Sequence, residues 1–568
     1  MQVAAPHVRL AERRDLPALP SWAALAVYLF LSFLFFGLRL LLGSGGRYIG
    51  PSDDPQIFIW AFGWWPHAIL HGENPFVTHA IWAPSGVNLT WTTTVPGLSI
   101  AFTPLTLLAG PVVSYNVAMV VLPALAAWSA FLLLCRVAGG TWGPLVGGYL
   151  FGFSSMLIAH EQGHAHVAGA FLVPLCALAV WRYLEDDLDR RGLVLRLGPL
   201  FAFQLLLSTE LTFTLALALC SALLLAYAVA PDRRRRLRSL AAPVAASGAV
   251  AVVLTAPFVY YLWRGLHTSA FSPPGAFAGD VANLVIPTHL QLAGFGWTNE
   301  LYRHFPGYLS EQGMFLGPAI AIVGLYVWRG RGGEGRRFLL IGLGVSLLAA
   351  FGTRLHVYGH SLVWLPWSLV AHLPIWDNVL PVRLALYAFL AIATMAALWI
   401  AAERNVLLGV ALPVVGMVAL MPNVGAKELV TPYRIPPFFT DAVYRSCLAS
   451  GETILPLPIS AGGDANLWQT SADFRFRLAG GRVQITPPSP FMHPAGIENI
   501  SQHEPPAANK AALYRAFIRA KGVDAVIADP VRARDDLPYL DRIATPLRVG
   551  GIVLYRVSPD SPPCRPGA

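Results

Sequence analysis

Two adjacent carboxylates, Asp53 and Asp54, lie in the polar segment that follows the first long apolar run of the chain. Such a pair suits a divalent cation, or the removal of a proton from a hydroxyl group. Pro55 fits the first position of a helix, so Asp54 also fits a helix N-cap, which would leave Asp53 freer to act as the base. A capping role would account for the presence of only one of the two acids. We therefore expect at least one of them to be a catalytic base or a metal ligand.

A polar island at residues 159–166, with the sequence AHEQGHAH, separates two apolar runs. Ionisable residues this close to a membrane are costly and are usually functional. Glu161 is therefore predicted to join Asp53 or Asp54 as a catalytic acid or a metal ligand. The imidazoles of His160, His164 and His166 are further candidate ligands, so a divalent cation such as Mg or Mn is a candidate cofactor. The alternative is a short hydrated loop without a role.

Three arginines are candidates for binding a phosphate group, because a guanidinium matches phosphate oxygens with two parallel hydrogen bonds. Arg383 stands at the mouth of an apolar run, whereas Arg264 and Arg303 lie in a long polar segment at residues 264–312. Arg383 fits equally well a side chain that snorkels to the membrane surface. Glu210 is a weaker candidate acid, since it also fits the first turn of a helix.

The composition indicates the setting of these residues. Of the 568 residues 55% are apolar and 12% are charged, about half the charged share of an average soluble protein. This excludes an ordinary soluble enzyme and predicts a polytopic membrane protein in a lipid bilayer. The net charge of +9 comes largely from short arginine clusters between apolar runs, which orient helices in a bilayer. No nucleic-acid partner is expected.

Apolar runs long enough to cross a bilayer predict about eleven transmembrane helices. They are residues 22–42, 114–134, 143–158, 164–183, 193–208, 211–230, 240–262, 313–328, 338–351, 384–402 and 406–421. The arginine clusters all fall on one side if the N-terminus is cytoplasmic. Residues 95–113 contain several prolines and glycines and are predicted to be re-entrant or interfacial.

The chain is predicted to divide at residue 421. Residues 1–421 form the transmembrane part, with a first outer loop at 43–94 whose tryptophans fit an interfacial belt. Residues 422–568 form an extracytoplasmic α/β domain, with strands at 453–456, 524–528 and 551–557 and a helix at 509–521. Cys447 and Cys564 are able to form a disulfide if this domain faces an oxidising compartment.

Several short motifs accompany the acidic residues of the outer loops. They are HGENPF at 71–76, Gly110-Pro111 with Tyr115-Asn116, Gly163-His164, Glu311 with Leu316-Gly317-Pro318, and Pro381 to Arg383. Together with the first-loop acids and the late outer domain, they resemble bacterial members of the C-type glycosyltransferase superfamily, to which oligosaccharyltransferase subunits and protein mannosyltransferases belong. The resemblance implies a polyprenyl-phosphate or polyprenyl-diphosphate sugar donor. It also matches Asp53 or Asp54 to the first-loop base or metal ligand, and Glu161 to the second-loop acid.

The expected function is that of an inverting glycosyltransferase in a bacterial cytoplasmic membrane. It would move a sugar from the lipid carrier to a glycan, lipid or protein acceptor on the outer face. One alternative is a structural assembly protein that binds through its late domain and needs no acidic pair. The other is a non-enzymatic transporter or flippase of lipid-linked sugars. A transporter needs charges along a path through the bilayer, whereas the charges here cluster at the predicted outer ends of the helices.

Overall fold

The computed structural model describes residues 19–42, 45–51, 54–265, 276–294, 296–330, 332–459, 463–483, 487–491, 507–559 and 563–565. Asp53, one of the two predicted first-loop acids, lies outside these residues. Asp54 is described and begins a helix.

Apolar helices form most of the first 421 residues. Seven helices in the described part of the chain are long and apolar enough to cross a membrane: Ser21–Leu41, Pro111–Val137, Trp142–His160, Ala165–Leu184, Thr209–Val229, Pro231–Leu254 and Pro381–Ala402. Four shorter helices lie at the other predicted spans: Arg190–Leu207, Ala319–Arg329, Glu334–Ala350 and Val406–Leu420. The helical polytopic class is confirmed, while the number of spans and their orientation stay predictions.

The segment predicted to be re-entrant forms two short helices, Pro96–Ala101 and Thr103–Ala109. At 1.5 Å per residue neither approaches the ~30 Å of the hydrocarbon core. A long helix begins directly after them at Pro111. The prolines and Gly110 therefore end each short helix before it can become a span.

The first outer loop is built around the helix Asp54–Leu70. Trp60, Trp64 and Trp65 of this helix are buried, as is Trp82 further along the loop. The interfacial belt expected for these tryptophans is therefore wrong. Their rings fill a hydrophobic core together with residues of the C-terminal region.

A mixed five-stranded sheet organises the C-terminal region. Its strands, in spatial order, are Pro546–Val549, Ile552–Arg556, Ala525–Ala528, Thr453–Leu457 and Arg477–Leu478. The first three pair antiparallel and the last three pair parallel. The helix Ala507–Lys521 follows the prediction closely, as do the three predicted strands. Cys447 and Cys564 form a disulfide.

Backbone pairing also links the first outer loop to the region after residue 421. The strand Gly46–Ile49 pairs antiparallel with Val430–Tyr433, and Ile81 forms a bridge with Leu478 at the edge of the five-stranded sheet. Two further hairpins pair Val77–Thr78 with Val87–Asn88, and Arg354–Val357 with His360–Trp364. The first outer loop and the region after residue 421 thus pack as one body. The core contains residues from both sides of position 421, so the boundary predicted there stays a division of the sequence.

Gly50 allows the first outer loop to approach the polar island closely. Its φ is +96°, and a Cβ there would lie 2.9 Å from the carbonyl carbon of Gln162 and 2.8 Å from Cγ of Pro55. Replacement by Ala is expected to lower the free energy of unfolding by about 1–3 kcal/mol or more, because a strained φ adds to a steric clash. The loss is measured by denaturation of the purified protein.

Gly72 provides the matched control. Its φ is +69°, but a Cβ there would meet nothing within 4 Å. Gly72→Ala therefore introduces the backbone strain without the clash. Equal losses in Gly50→Ala and Gly72→Ala would contradict the importance of the close approach.

Candidate functional site

Asp54 is held between two side chains from distant parts of the chain. Its Oδ2 lies 3.2 Å from Nε2 of His164, and its Oδ1 accepts a 2.7 Å hydrogen bond from Nη2 of Arg482. Burial raises the pKa of Asp54, but the hydrogen bond from His164 and the charges of His164 and Arg482 lower it by more. The pKa therefore lies below its ordinary value, and the carboxylate is ionised at neutral pH.

The polar island brings two histidines to the same place. His160 ends the helix Ser155–His160, and its Nδ1 lies 2.8 Å from the carbonyl oxygen of Met156. The other ring nitrogen, Nε2, lies 3.4 Å from Oε2 of Glu311. Nδ1 of His164 lies 3.9 Å from Oε1 of the same carboxylate. Glu311 ends the short 3₁₀ turn Leu309–Glu311, so two segments that are distant in sequence meet here.

One ligand atom each from His160, His164 and Glu311 lies within 4.8 Å of the other two, a spacing that one cation is able to bridge. Nε2 of His160 and Nδ1 of His164 are buried without a hydrogen-bond partner among the described residues. Burial raises the pKa of Glu311, but the charges of Arg383 and His160 hold it well below its ordinary value. Two imidazoles and one carboxylate suit Zn or Mn better than Mg.

Arg383 is buried and bound by two carboxylates. It lies in the turn Pro381–Leu384 and is 7% exposed. Its Nη2 donates to Oε1 of Glu311 at 2.6 Å, while Nη1 donates to Oε2 of Glu210. Nη1 also lies 3.3 Å from Nε2 of His166. A phosphate that bound this guanidinium would have to share it with both acids.

The residues that meet at this site are linked in a continuous series of polar contacts. We call them the ionic cluster: Asp54, His160, His164, His166, Glu210, Glu311, Arg383 and Arg482.

The other two predicted phosphate-binding arginines lie elsewhere. Arg264 is exposed and donates to the hydroxyl of Tyr260 at 2.7 Å. Arg303 is exposed and forms an ion pair with Glu300 at 2.9 Å. Within the described ranges, neither has a hydrogen bond or ion pair with the ionic cluster. A role for them in phosphate binding stays a prediction, and Arg383 alone of the three lies in the cluster.

Glu161 is fully buried beside the cluster. Neither of its carboxylate oxygens has a hydrogen-bond partner in the part of the chain that the structure describes. Burial raises the pKa of Glu161 well above its ordinary value, which favours the neutral acid. Glu161 is not part of the His160, His164 and Glu311 set. Its role as a catalytic acid or metal ligand therefore stays a prediction.

Two members of the cluster received no role from the sequence. Glu311 belongs to one of the family-like motifs. Its only signal in the sequence is that a single acidic residue precedes an apolar run. Arg482 carried no local signal, because it is 428 positions from its partner Asp54. Only the fold brings these residues together.

Comparison with known structures identifies the fold that brings these residues together. No protein-family model matches the chain, and no curated protein matches its sequence. Among solved structures, the archaeal oligosaccharyltransferase AglB from Archaeoglobus fulgidus, bound to an inhibitory peptide and a dolichol-phosphate, matches with a TM-score of 0.54 and 13% identity. The match covers 95% of this chain and 75% of AglB.

The arabinofuranosyltransferase AftD from Mycobacteria matches with a TM-score of 0.59 and 13% identity, over 97% of this chain and 40% of AftD. The chain has the fold of the C-type glycosyltransferases, the GT-C fold. The fold expected from the sequence motifs is thereby confirmed. A further structure with the GT-C fold, the A. fulgidus oligosaccharyltransferase in complex with Zn and sulfate, matches with a TM-score of 0.50 and 12% identity, over 95% of this chain and 74% of that one.

Proposed function

We propose that the chain is an inverting glycosyltransferase that transfers a sugar from a polyprenyl-phosphate or polyprenyl-diphosphate carrier to an acceptor outside a bacterial cytoplasmic membrane. The observation that supports this most is the ionic cluster, in which separate outer segments bring acids, histidines and arginines together in a GT-C fold. One structural neighbour, AglB, was solved with a dolichol-phosphate, which is a carrier of the same chemical class.

In the proposed reaction, the acceptor oxygen forms a bond to the anomeric carbon of the sugar. The bond from that carbon to the phosphate oxygen breaks, and its electron pair leaves with the carrier phosphate. The acceptor proton passes to a first-loop carboxylate. Asp54 is ionised and is positioned by His164 and Arg482. Asp53 is the alternative base.

The leaving phosphate requires positive charge nearby. Arg383 supplies a fixed guanidinium within the cluster. His160, His164 and Glu311 would hold a divalent cation, which would add positive charge when bound. Glu210 and Glu311 fix the orientation of Arg383, so the guanidinium needs no rearrangement when the phosphate develops charge.

A direct assay separates this proposal from the flippase alternative. The full-length protein in lipid nanodiscs is given a panel of undecaprenyl-phosphate-linked sugars with glycan, lipid and peptide acceptors. Mass spectrometry then measures the release of undecaprenyl phosphate. We expect release by the wild type and none by the Asp53→Ala/Asp54→Ala double variant. Translocation of intact donor across vesicles without any release would instead support a flippase.

Divalent-cation binding is expected at His160, His164 and Glu311. Isothermal titration with Zn²⁺ or Mn²⁺ should show one site whose affinity falls as the pH falls, because the imidazoles must lose their protons to bind metal. Glu311→Gln should weaken binding by about 10–100-fold or more. His71 is exposed and outside the cluster, so His71→Gln is the control. Unchanged affinity in Glu311→Gln would contradict the site.

A further inference from the structure

A patch of exposed apolar side chains lies between the helix Glu334–Ala350 and the turn Pro381–Leu384. It begins in the second strand of the hairpin, His360–Trp364, which is exposed at every residue. The patch consists of six large side chains that are between 46% and 81% exposed: Leu362, Val363, Trp364, Leu369, Leu373 and Ile375. We call these residues the hairpin patch.

The hairpin patch does not have the pattern of a surface that faces water. A hairpin strand with one hydrated face alternates apolar and polar residues, whereas Leu362, Val363 and Trp364 are consecutive and all exposed. So many exposed large apolar side chains within residues 362–375 indicate contact with a partner or a membrane. The position of the patch in the fold distinguishes between these occupants.

The hairpin patch continues an exposed apolar surface of the neighbouring helices. The helix Glu334–Ala350, which leads into the hairpin, exposes Ile341, Val345 and Leu348. The candidate span Thr209–Val229 lies beside this helix, since a Cβ at Gly342 would lie 3.9 Å from Leu225. Only 11% of the apolar window of that span is buried within the protein. The loop after Ala350 therefore emerges beside two helices that expose apolar side chains, a pattern typical of helices that face lipid.

Aromatic contacts hold the loop after Ala350 against the start of the helix Thr209–Val229. The guanidinium of Arg354 lies 3.9 Å from the centre of the Trp364 ring, and tryptophan and arginine are both typical of the membrane interface. Trp367 packs on Trp376, and Trp376 packs on Phe213 near the start of the helix Thr209–Val229. The loop is thus attached to the end of a candidate span rather than to the C-terminal sheet.

We propose that the hairpin patch is a membrane-docking surface, which rests in the interfacial layer of the leaflet at this end of the helices. The same loop continues to Leu380, whose N–H donates to Oε1 of Glu210 at 3.2 Å. Docking therefore sets the depth of the ionic cluster near the level of the lipid phosphates. This inference does not depend on the proposed transferase activity.

Spin labels test the proposal without a substrate. Cys135, Cys176 and Cys220 are free and are replaced by Ala, while the disulfide is retained. Single labels are then placed through Leu362→Cys and Leu369→Cys in the full-length protein, in nanodiscs of phosphatidylethanolamine and phosphatidylglycerol. Collision rates with oxygen, which concentrates in lipid, are compared with those of a water-soluble nickel chelate.

Two exposed positions calibrate the measurement. Leu224→Cys, on the candidate span, is the lipid reference, and Val531→Cys, in the C-terminal region, is the water reference. We expect the oxygen-to-nickel ratios at Leu362 and Leu369 to exceed the Val531 ratio several-fold and to approach the Leu224 ratio. Ratios equal to the Val531 value would overturn the proposal. Labels shielded from both reagents would also overturn it, because they would show a protein occupant.

Discussion

Replacing Asp54 by Asn is expected to reduce sugar transfer by about 10²–10⁴-fold, the usual contribution of a general base. The substitution keeps the size of the side chain but removes the negative charge between His164 and Arg482. The effect is measured as the initial rate of undecaprenyl phosphate release. Asp535→Asn, at an exposed position of the C-terminal region, is the matched control and should retain the wild-type rate.

The pH dependence of the rate identifies the base more closely. Arg482→Gln removes one of the two groups that lower the pKa of Asp54. That pKa should rise, and the acidic limb of the rate profile should move to higher pH, since the protonated carboxyl cannot accept a proton. If the acidic limb does not move, it reports the titration of another acid, such as Asp53. Full transfer in Asp53→Asn and in Asp54→Asn, each tested singly with donor binding intact, would overturn the mechanism.

Arg383→Met should lower the free energy of unfolding by about 3–5 kcal/mol, because it leaves the buried Glu311 and the half-buried Glu210 without their arginine partner. Glu210 and Glu311 both bind this guanidinium directly. Unfolding in a series of detergent mixtures measures the loss. Arg303→Met removes an exposed ion pair and should cost less than about 1 kcal/mol. Similar losses in the two variants would contradict the buried network.

The same position tests the predicted phosphate contact. Arg383→Lys keeps the charge but loses the paired donors of the guanidinium. Weaker binding of undecaprenyl phosphate by this variant, in protein shown to be folded, would support a direct contact. Unchanged binding would leave Arg383 as a purely structural residue of the ionic cluster.

Local patterns were sufficient to predict much of the fold. The run at 114–134 corresponds to the helix Pro111–Val137, because the thickness of the bilayer sets the length of an apolar run. The strand predicted at 453–456 corresponds to Thr453–Leu457, because buried strands carry short apolar stretches bounded by turn residues. In both cases the signal that predicts the element lies in the residues of the segment itself.

Long-range contacts were not predictable in this way. Asp54 fitted a helix N-cap, but its two oxygens contact His164 and Arg482 instead. Glu311 lies far from His160 in sequence, and nothing at either position indicates that they meet. Trp60 was expected at a membrane surface, since a tryptophan in an outer loop suits an interface as well as a core. Tertiary packing alone distinguishes these possibilities.

The shared core has a consequence for how the protein is made. The strand Gly46–Ile49 finds its partner only at Val430–Tyr433, so the first outer loop leaves the ribosome long before the segments that cover its tryptophans. At ~5–20 residues per second this delay lasts tens of seconds. During this time Trp60 and Trp64 lack their final packing and are open to chaperones or proteases. A chain that stops at residue 421 would never complete this step, so Asp54 would never meet Arg482.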